Sequence, residues 1–507
     1  MRSVPKGVIM TNKKFKVLFI YPNTMMATLV PIHISLLSAC LKEKGIESAL
    51  FDTTYYKTEE VNFEEKKVEL LQIKPFNLND KGVGFKQTDI HEDLAEKIRE
   101  YQPDLIGITM VEDTYDLSRS LLASIKDFKI PVIAGGVFVT FSPEEVLNNE
   151  TVDMVCVGEG EEALTELCEK MSKGEDYSAV MNLWVKKDGV IIKNPLRKLT
   201  DIDKLPPIDY DIFGRDRLYR PMFGKVFTMI HVELDRGCPY DCTYCEAPHL
   251  RKLFQEAGCG IYYRKKSIRA IMREMRCLSE KYSPDYVNFN SETFLAKSVS
   301  ELKEFAEQYK EIGIPFWCQT RPETVTEEKI KILKEMNCDS LQFGIEHGNE
   351  VFRANILRRH SSNEKIVNAL KIVEKYEIPY TVNNIIGFPD ETRELIFDTI
   401  NLNRKINPRT MNCYLFTPYK GTILYKQCVE KGYLGENDKV HQLLDSVKLN
   451  MDSIAYDELK GLQRTFSLYA RFPETEWDKI KIAEKFDEEG NRMFERLSEK
   501  YRQEYFS

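Results

Sequence analysis

No apolar run in this 507-residue chain approaches the roughly 18 residues that a membrane-crossing helix needs, so no such helix is expected. The start also lacks the basic, apolar and small-residue succession of a secretory signal. Basic charge is not in excess, since the net charge is -8, and duplex nucleic acid is not an expected partner; a small or neutral substrate fits better. No GxGxxG segment is present, which argues against a dinucleotide. Histidine is scarce at seven residues, and most of the twelve cysteines are scattered through apolar runs without the pairing of a disulfide framework. A reducing, cytoplasmic setting is expected.

The chain does contain two blocks of short β-branched runs alternating with amphipathic stretches. In the first, strands are expected at 16–21, 47–52, 105–109, 131–135 and 154–157, with helices between them. Nearly continuous apolar strands alternating with helices predict a doubly wound parallel sheet over residues 1–180. In such sheets ligands meet the loops at the carboxyl ends of the strands. Those loops hold Asn23, Thr24, Thr109, Met110, Gly135, Gly136, Gly158, Glu159 and Gly160. A charged stretch at 57–90 interrupts the alternation as an insertion. Residues 181–229 read as a hairpin followed by a proline-containing linker.

The second block spans 230–435, with strands expected at 232–235, 286–290, 316–320, 340–345, 381–386 and 412–416. Six such βα units predict a partial (β/α)6 barrel, with chemistry at the carboxyl ends of its strands. Residues 436–507 read as a charged, helical region anchored by Trp477. The fold class is therefore α/β: a Rossmann-like domain, a partial barrel and a helical C-terminal region.

Just after the first barrel strand, Cys238, Cys242 and Cys245 stand at CxxxCxxC spacing. Three thiolates on one tight loop suit a cubane iron-sulfur cluster and leave its fourth iron open to a small molecule. Zinc is the alternative, but structural zinc takes four closed ligands and catalytic zinc draws on histidines, and only His249 lies nearby. The later strand ends are polar: Asn288, Asn290, Ser291 and Glu292; Gln319 and Arg321; Glu346 and His347; Asn383 and Asn384. Carboxylates and amides there can bind an ammonium and ribose hydroxyls, and Arg321 can pair with a carboxylate.

The cysteine spacing, with Tyr244 just before the last cysteine, resembles the radical S-adenosylmethionine (SAM) superfamily. Residues 343–348 (FGIEHG) resemble its GIESG strand motif with His347 in place of serine. Residues 386–392 (IGFPDET) and 418–422 (PYKGT) resemble two further segments. Upstream, Gly135-Gly136, the PEEVL at 143–147 and the GEGE at 158–161 resemble the cobalamin-binding domain fused to many of these enzymes, although the DxHxxG of histidine-ligated cobalamin proteins is absent. The resemblance implies that Cys238, Cys242 and Cys245 hold a 4Fe-4S cluster. It implies that Tyr244, Ser291, Glu292, Arg321, Glu346 and Gly387 meet SAM, and that the nine loop residues of the first block meet cobalamin. It further implies reductive cleavage of SAM to a 5'-deoxyadenosyl radical and an external one-electron reductant of flavodoxin or ferredoxin type.

Methylation of an unactivated carbon or phosphorus centre in a small or lipid-like molecule is the leading expectation. Cyclisation, rearrangement or carbon-carbon coupling without net methyl transfer is the alternative within the family, and a non-catalytic cofactor sensor is the alternative outside it. Cys413, on the last barrel strand, and Cys259, on a glycine-bounded loop, are the candidates for a catalytic thiol.

Overall fold

The computed structural model describes residues 14–24, 30–58, 62–435 and 448–506. Strands β1 (Lys16–Tyr21), β2 (Glu47–Asp52), β3 (Leu105–Thr109), β4 (Val132–Gly135), β5 (Met154–Cys156), β6 (Leu183–Lys187) and β7 (Val190–Lys193) form one sheet in the order β2-β1-β3-β4-β5-β6-β7. β1 to β5 are parallel, and the hairpin β6-β7 extends them antiparallel. The order reverses between β1 and β3, the switch point at which loops part and leave a crevice. Apolar side chains cover both faces, as the near-continuous strands demand: Val17, Phe19 and Ile133 lie on one side, Leu18, Ile20 and Ile108 on the other.

The second sheet contains β8 (Tyr219–Met222), β9 (Lys225–Glu233), β12 (Tyr286–Asn290), β13 (Phe316–Thr320), β14 (Cys338–Glu346), β15 (Tyr380–Ile386) and β16 (Thr410–Leu415). A two-residue ribbon, β10 (Asp235–Arg236) with β11 (Arg264–Lys265), follows β9. From β9 to β16 the six main strands are parallel, with β8 antiparallel at one border. The intervening helices start where side chains can satisfy their free N–H groups: Ser267 caps Ile268–Tyr282, and Ser298 with Glu301 forms a capping box on Val299–Tyr309. Residues 181–229 are shared out between the two sheets, as β6-β7 joins the first and β8 the second.

One apolar cluster runs from the first sheet through Leu205, Ile208, Tyr210 and Phe213 into the barrel layer, so the two domains share a core. The C-terminal helix Tyr456–Arg471 packs on helix Arg393–Arg404 and on β16. Trp477 is anchored there between Phe397 and Tyr469, with ring centroids 5.4 Å from each. This region buttresses the side of the barrel.

Charged groups weld the carboxyl ends of the two sheets together. Arg236, at the mouth of the cysteine loop, meets Glu159 at 3.0 Å, Glu161 at 2.6 Å and Glu233 at 2.9 Å, all four side chains being largely buried. Arg264 adds a further contact to Glu159. Nearby, Tyr419 donates from its hydroxyl to Asp113 at 3.2 Å, and the Lys420 backbone N–H donates to Glu112 at 3.0 Å. Burial pushes the Asp113 carboxyl up to about 7, with the Tyr419 hydroxyl opposing and Glu112 adding to the rise.

Breaking a buried ion network by removing its central charge leaves partners unpaired, so Arg236→Met should lower the unfolding free energy by roughly 3–5 kcal/mol in urea titrations. A smaller loss than 1 kcal/mol would mean that the carboxylates re-pair without it. Because the folded state holds a proton on Asp113 that the unfolded chain releases near pH 4, stability present at low pH should fall as pH rises to about 7 and level off above it. Thermal melts of Asp113→Asn across this window should be flatter than those of the unaltered protein.

Candidate functional site

The cysteine loop has one turn of its own, the Cys245 N–H donating to the Cys242 carbonyl at 3.3 Å, and is otherwise held by its neighbours. Gly237 takes φ +81°, and a β-carbon there would sit 2.8 Å from the Tyr262 ring, so the turn into Cys238 requires glycine. Arg251 donates from Nη1 to the Cys238 carbonyl at 2.9 Å and reaches the Tyr240 carbonyl at 3.5 Å. Thr243 donates from its hydroxyl to the Ile356 carbonyl at 2.6 Å, and its own carbonyl accepts from the Leu424 N–H at 3.1 Å.

The three thiols are free and lie within electrostatic reach of one another. Burial first, then the charges of Glu292 and the other two thiols, pushes Cys245 up to about 12, and burial raises Cys238 as well. Iron supplies the positive charge that reverses such shifts and fixes thiolates. Among the described residues no three His, Cys, Asp or Glu side chains converge on one ion. A cubane needs no such convergence, since each thiolate binds a different iron. The loop fits a cluster.

Around the cysteines the strand ends bring together Tyr240, Tyr244, Arg321, Glu323, Glu346 and Arg359. Arg321 donates to the Cys242 sulfur at 3.4 Å and to Glu323 at 2.6 Å, with its guanidinium 3.7 Å above the Tyr240 ring. Glu346, buried and at φ +67°, meets Arg359 at 3.3 Å, and Arg359 also donates to the Tyr244 hydroxyl at 3.2 Å. Burial raises the Glu346 carboxyl above its usual range against the pull of Arg359 and Arg321. Left-handed backbone at a non-glycine strand end is a strained conformation, and it coincides with a register shift in the β14-β15 pairing.

Glu292 opens toward the cysteines and its pKa is raised by confinement and by Asp235. Ser291 is turned away from that space: its hydroxyl donates to Asp235 at 2.6 Å, beside Lys297 at 3.0 Å. Gly387 donates its N–H to Glu391, and a β-carbon on it would press Leu459 at 2.6 Å. His347 lies fully buried between these motifs, with Nε2 at 2.9 Å from Glu391 and Nδ1 accepting from the Asn349 N–H at 3.0 Å. The replacement for the customary serine thus ties one motif to the other.

A cavity of about 690 Å³ opens between the carboxyl ends of both sheets. From the first sheet Thr109, Gly135, Gly136, Gly158, Glu159 and Gly160 line it; from the barrel come His231, Glu233, Asn288, Asn290, Trp317 and Gln319. Gly136 takes φ +116°, and a β-carbon there would lie 2.5 Å from the Met110 carbonyl, so only glycine lets this loop pass. Met110 itself is buried in the core of the first domain. Asn23 and Thr24 are also buried and outside this lining; Asn23 donates to Thr54 at 2.8 Å and its backbone N–H to Thr53 at 2.7 Å. Glu159 lines the cavity while its carboxylate serves the Arg236 network.

His33, which the sequence reading did not single out, stands in the cavity wall at the start of helix Ile32–Glu43. Its ring is exposed toward the cavity, 6.1 Å from Tyr21, and makes no hydrogen bond among the described residues. Arg359 and Arg251 were missed likewise. The signal available was the lone histidine after an apolar loop and two arginines flanking the quoted motifs.

Cys413 is buried in the core cluster, where burial pushes its thiol well up. Cys259 is buried with its sulfur at 3.6 Å from the Ala257 carbonyl. Neither lines the cavity.

Residues 232–402 match the family model of the radical SAM superfamily, and residues 24–168 match the B12 binding domain. The uncharacterized methyltransferase PH0819 of Pyrococcus horikoshii is 28% identical over 352 residues, covering 68% of this chain and 73% of the relative. The anaerobic magnesium-protoporphyrin IX monomethyl ester cyclase of Rubrivivax gelatinosus is 23% identical over 400 residues, covering 76% and 68%. Among solved structures, the radical SAM methyltransferase TsrM from Kitasatospora setae, with cobalamin and a [4Fe-4S] cluster bound, shares the fold at TM-score 0.62 and 16% identity, over 91% of this chain and 82% of that one. The two matched models meet across the cavity just described, one supplying the glycine loops and the other the strand-end residues Glu233, Asn288, Asn290, Trp317 and Gln319. The chain belongs to the radical SAM enzymes that carry a cobalamin-binding domain.

Proposed function

We propose that this enzyme is a cobalamin-dependent radical methyltransferase whose substrate is a small or lipid-like molecule held inside the barrel. The observation that carries the reading is the single cavity shared by the glycine loops of the first domain and the polar interior of the barrel. A methyl carrier on one side and a radical source on the other need such a common space. The methyltransferase names of relatives support the same reading, including cytidylyl-2-hydroxyethylphosphonate methyltransferase of Streptomyces wedmorensis, 18% identical over 461 residues.

Cys238, Cys242 and Cys245 would hold the cluster, which when bound supplies the electron that cleaves SAM. Arg321, Glu292, Glu346 and Tyr244, joined by Arg359, would orient the charged ends of SAM. Ser291 and Gly387 act one step back, through Asp235 and Glu391. Thr109, Gly135, Gly136, Gly158 and Gly160 would admit the corrinoid, which when bound carries the transferable methyl group. Asn23, Thr24 and Met110 would shape the loops that hold it, and Glu159 would fix the last of those loops to the cysteine loop. The shared core keeps water from the reacting centre. An external flavodoxin- or ferredoxin-type reductant and a cytoplasmic setting complete the proposal. Cyclisation without methyl transfer is the second reading, favoured by the cyclase relative.

Anaerobically reconstituted protein given substrate, SAM and reductant should yield a product heavier by one CH2 unit, together with S-adenosylhomocysteine and 5'-deoxyadenosine. A product lacking the added carbon, with 5'-deoxyadenosine alone, would transfer the assignment to cyclisation. In Cys242→Ser the cluster absorption and SAM cleavage should both be lost, while circular dichroism stays unchanged.

His33 lines the cavity from the first domain, and its imidazole would supply a nitrogen ligand to a bound corrinoid. Electron paramagnetic resonance of bound cob(II)alamin should therefore show a nitrogen splitting that changes on nitrogen-15 histidine labelling, a change that is lost in His33→Phe. A spectrum insensitive to the label would exclude histidine as a ligand of the cobalt.

A further inference from the structure

The six parallel strands leave a seam between the β8-β9 border and β16, and residues 62–75 of the insertion lie in it. Helix Phe63–Glu69 places Glu64 at 3.5 Å from Arg220 on β8 and Lys67 beside Tyr414 on β16. Farther on, Gln72 donates from Nε2 to the Cys413 carbonyl on β16 at 3.0 Å. What reads in sequence as an interruption is the plug of the barrel wall.

Behind that plug stand three side chains with relative exposures of only 2% (Arg217), 4% (Arg220) and 1% (His231). The Nε of Arg217 lies 2.7 Å from Asp52. Both terminal nitrogens of Arg217, Nε of Arg220 and Nε2 of His231 have no acceptor among the described residues. The Asn288 amide donates to His231 Nδ1 at 2.9 Å, which assigns the ring proton to Nε2. Every unpartnered atom of Arg217, Arg220 and His231 is thus a donor. The formal charges point the same way: buried Arg217 and Arg220 and half-buried Lys67 are set against Asp52 and Glu64, leaving one cation in excess at the seam. An ion pair with Asp52 accounts for one edge of one guanidinium and for none of the remaining donors.

His231 connects this cluster to the cavity. It lines the cavity wall, and Arg220 and Arg217 are the charges that bear on its ring, which burial and those two cations keep neutral. Asn288 and Trp317 occupy the same cross-strand row, and Trp317 Nε1 is a further buried donor with no acceptor among the described residues. We propose that the enzyme recognises its substrate through an anionic group, a carboxylate or a phosphate ester, bound at the barrel seam by Arg217, Arg220 and His231. This deepens the proposed function, since it rests on the barrel interior being the substrate site. A planar guanidinium pair and an imidazole N–H match the oxygens of either anion.

Isothermal titration of the reconstituted protein at constant ionic strength, with inorganic phosphate and separately with acetate, tests the site. Saturable binding of phosphate identifies a phosphate ester as the recognised group, and saturable binding of acetate a carboxylate. Either affinity should weaken at least tenfold in Arg220→Met and in Arg217→Met. Absence of saturable binding to both probes, or equal affinity in both variants, overturns the proposal. If the methionine variants do not fold, Arg220→Lys keeps the charge and should still weaken binding. Crystals of the unaltered protein soaked in selenate should then show anomalous density within hydrogen-bonding reach of Arg217 and Arg220; density elsewhere alone overturns the site. These readouts need no turnover, so they stand or fall separately from methyl transfer.

Discussion

The bond between Arg236 and three carboxylates holds the rest of the site in register. Arg236 begins the cysteine loop, Glu159 and Glu161 belong to the last glycine loop of the first domain, and Glu233 ends β9. Four charges removed from water are tolerable only when each finds partners in good geometry, and here the geometry exists only if both domains are correctly docked. The network therefore acts as a registration device between the last glycine loop of the first domain and the cysteine loop of the barrel. Its neighbours reinforce it: the Gly158 N–H donates to Thr140 at 3.1 Å, and the Thr200 N–H to Glu159 at 3.0 Å.

Burial of apolar surface supplies the stability on which this polar construction rests. A continuous core runs from β1 through the 202–218 segment to the barrel helices and the C-terminal helix. The shared core also explains how polar residues survive inside the barrel. Asn288, Asn290, Gln319 and Trp317 line the cavity, and their strands are fixed by Phe289, Phe305, Tyr309 and Phe316, whose rings pack edge-on or tilted. A radical enzyme gains from this division, because apolar layers behind the strands hold the polar side chains of the cavity wall in place.

Much of the fold was legible because strand and helix periods are local properties. The strands at 16–21, 47–52, 105–109, 286–290 and 316–320 agree with the structure, since apolar β-branched runs between amphipathic segments leave few alternatives. β9 extends farther upstream than its apolar run, to Lys225, because pairing with β8 across a turn supports residues of low strand preference. The cysteine loop was legible for a similar reason, its three thiols lying within eight consecutive residues.

The partners of those local features were not legible. Arg359 meets Tyr244 across 115 residues, Gln72 meets β16 across 341, and Arg236 meets Glu159 across 77. His33 escaped notice because a histidine is conspicuous only within a spacing motif, whereas its place in the cavity wall depends on how β1 and its helix meet the barrel. The amino-acid sequence by itself determined the two alternating blocks, the cysteine loop and the kind of chemistry that loop supports, because each depends on residues close along the chain. Only the tertiary structure decided which carboxylates neutralise which arginines, what seals the barrel and where donors are left without acceptors, since buried charge and hydrogen bonding are balanced between segments that meet only on folding.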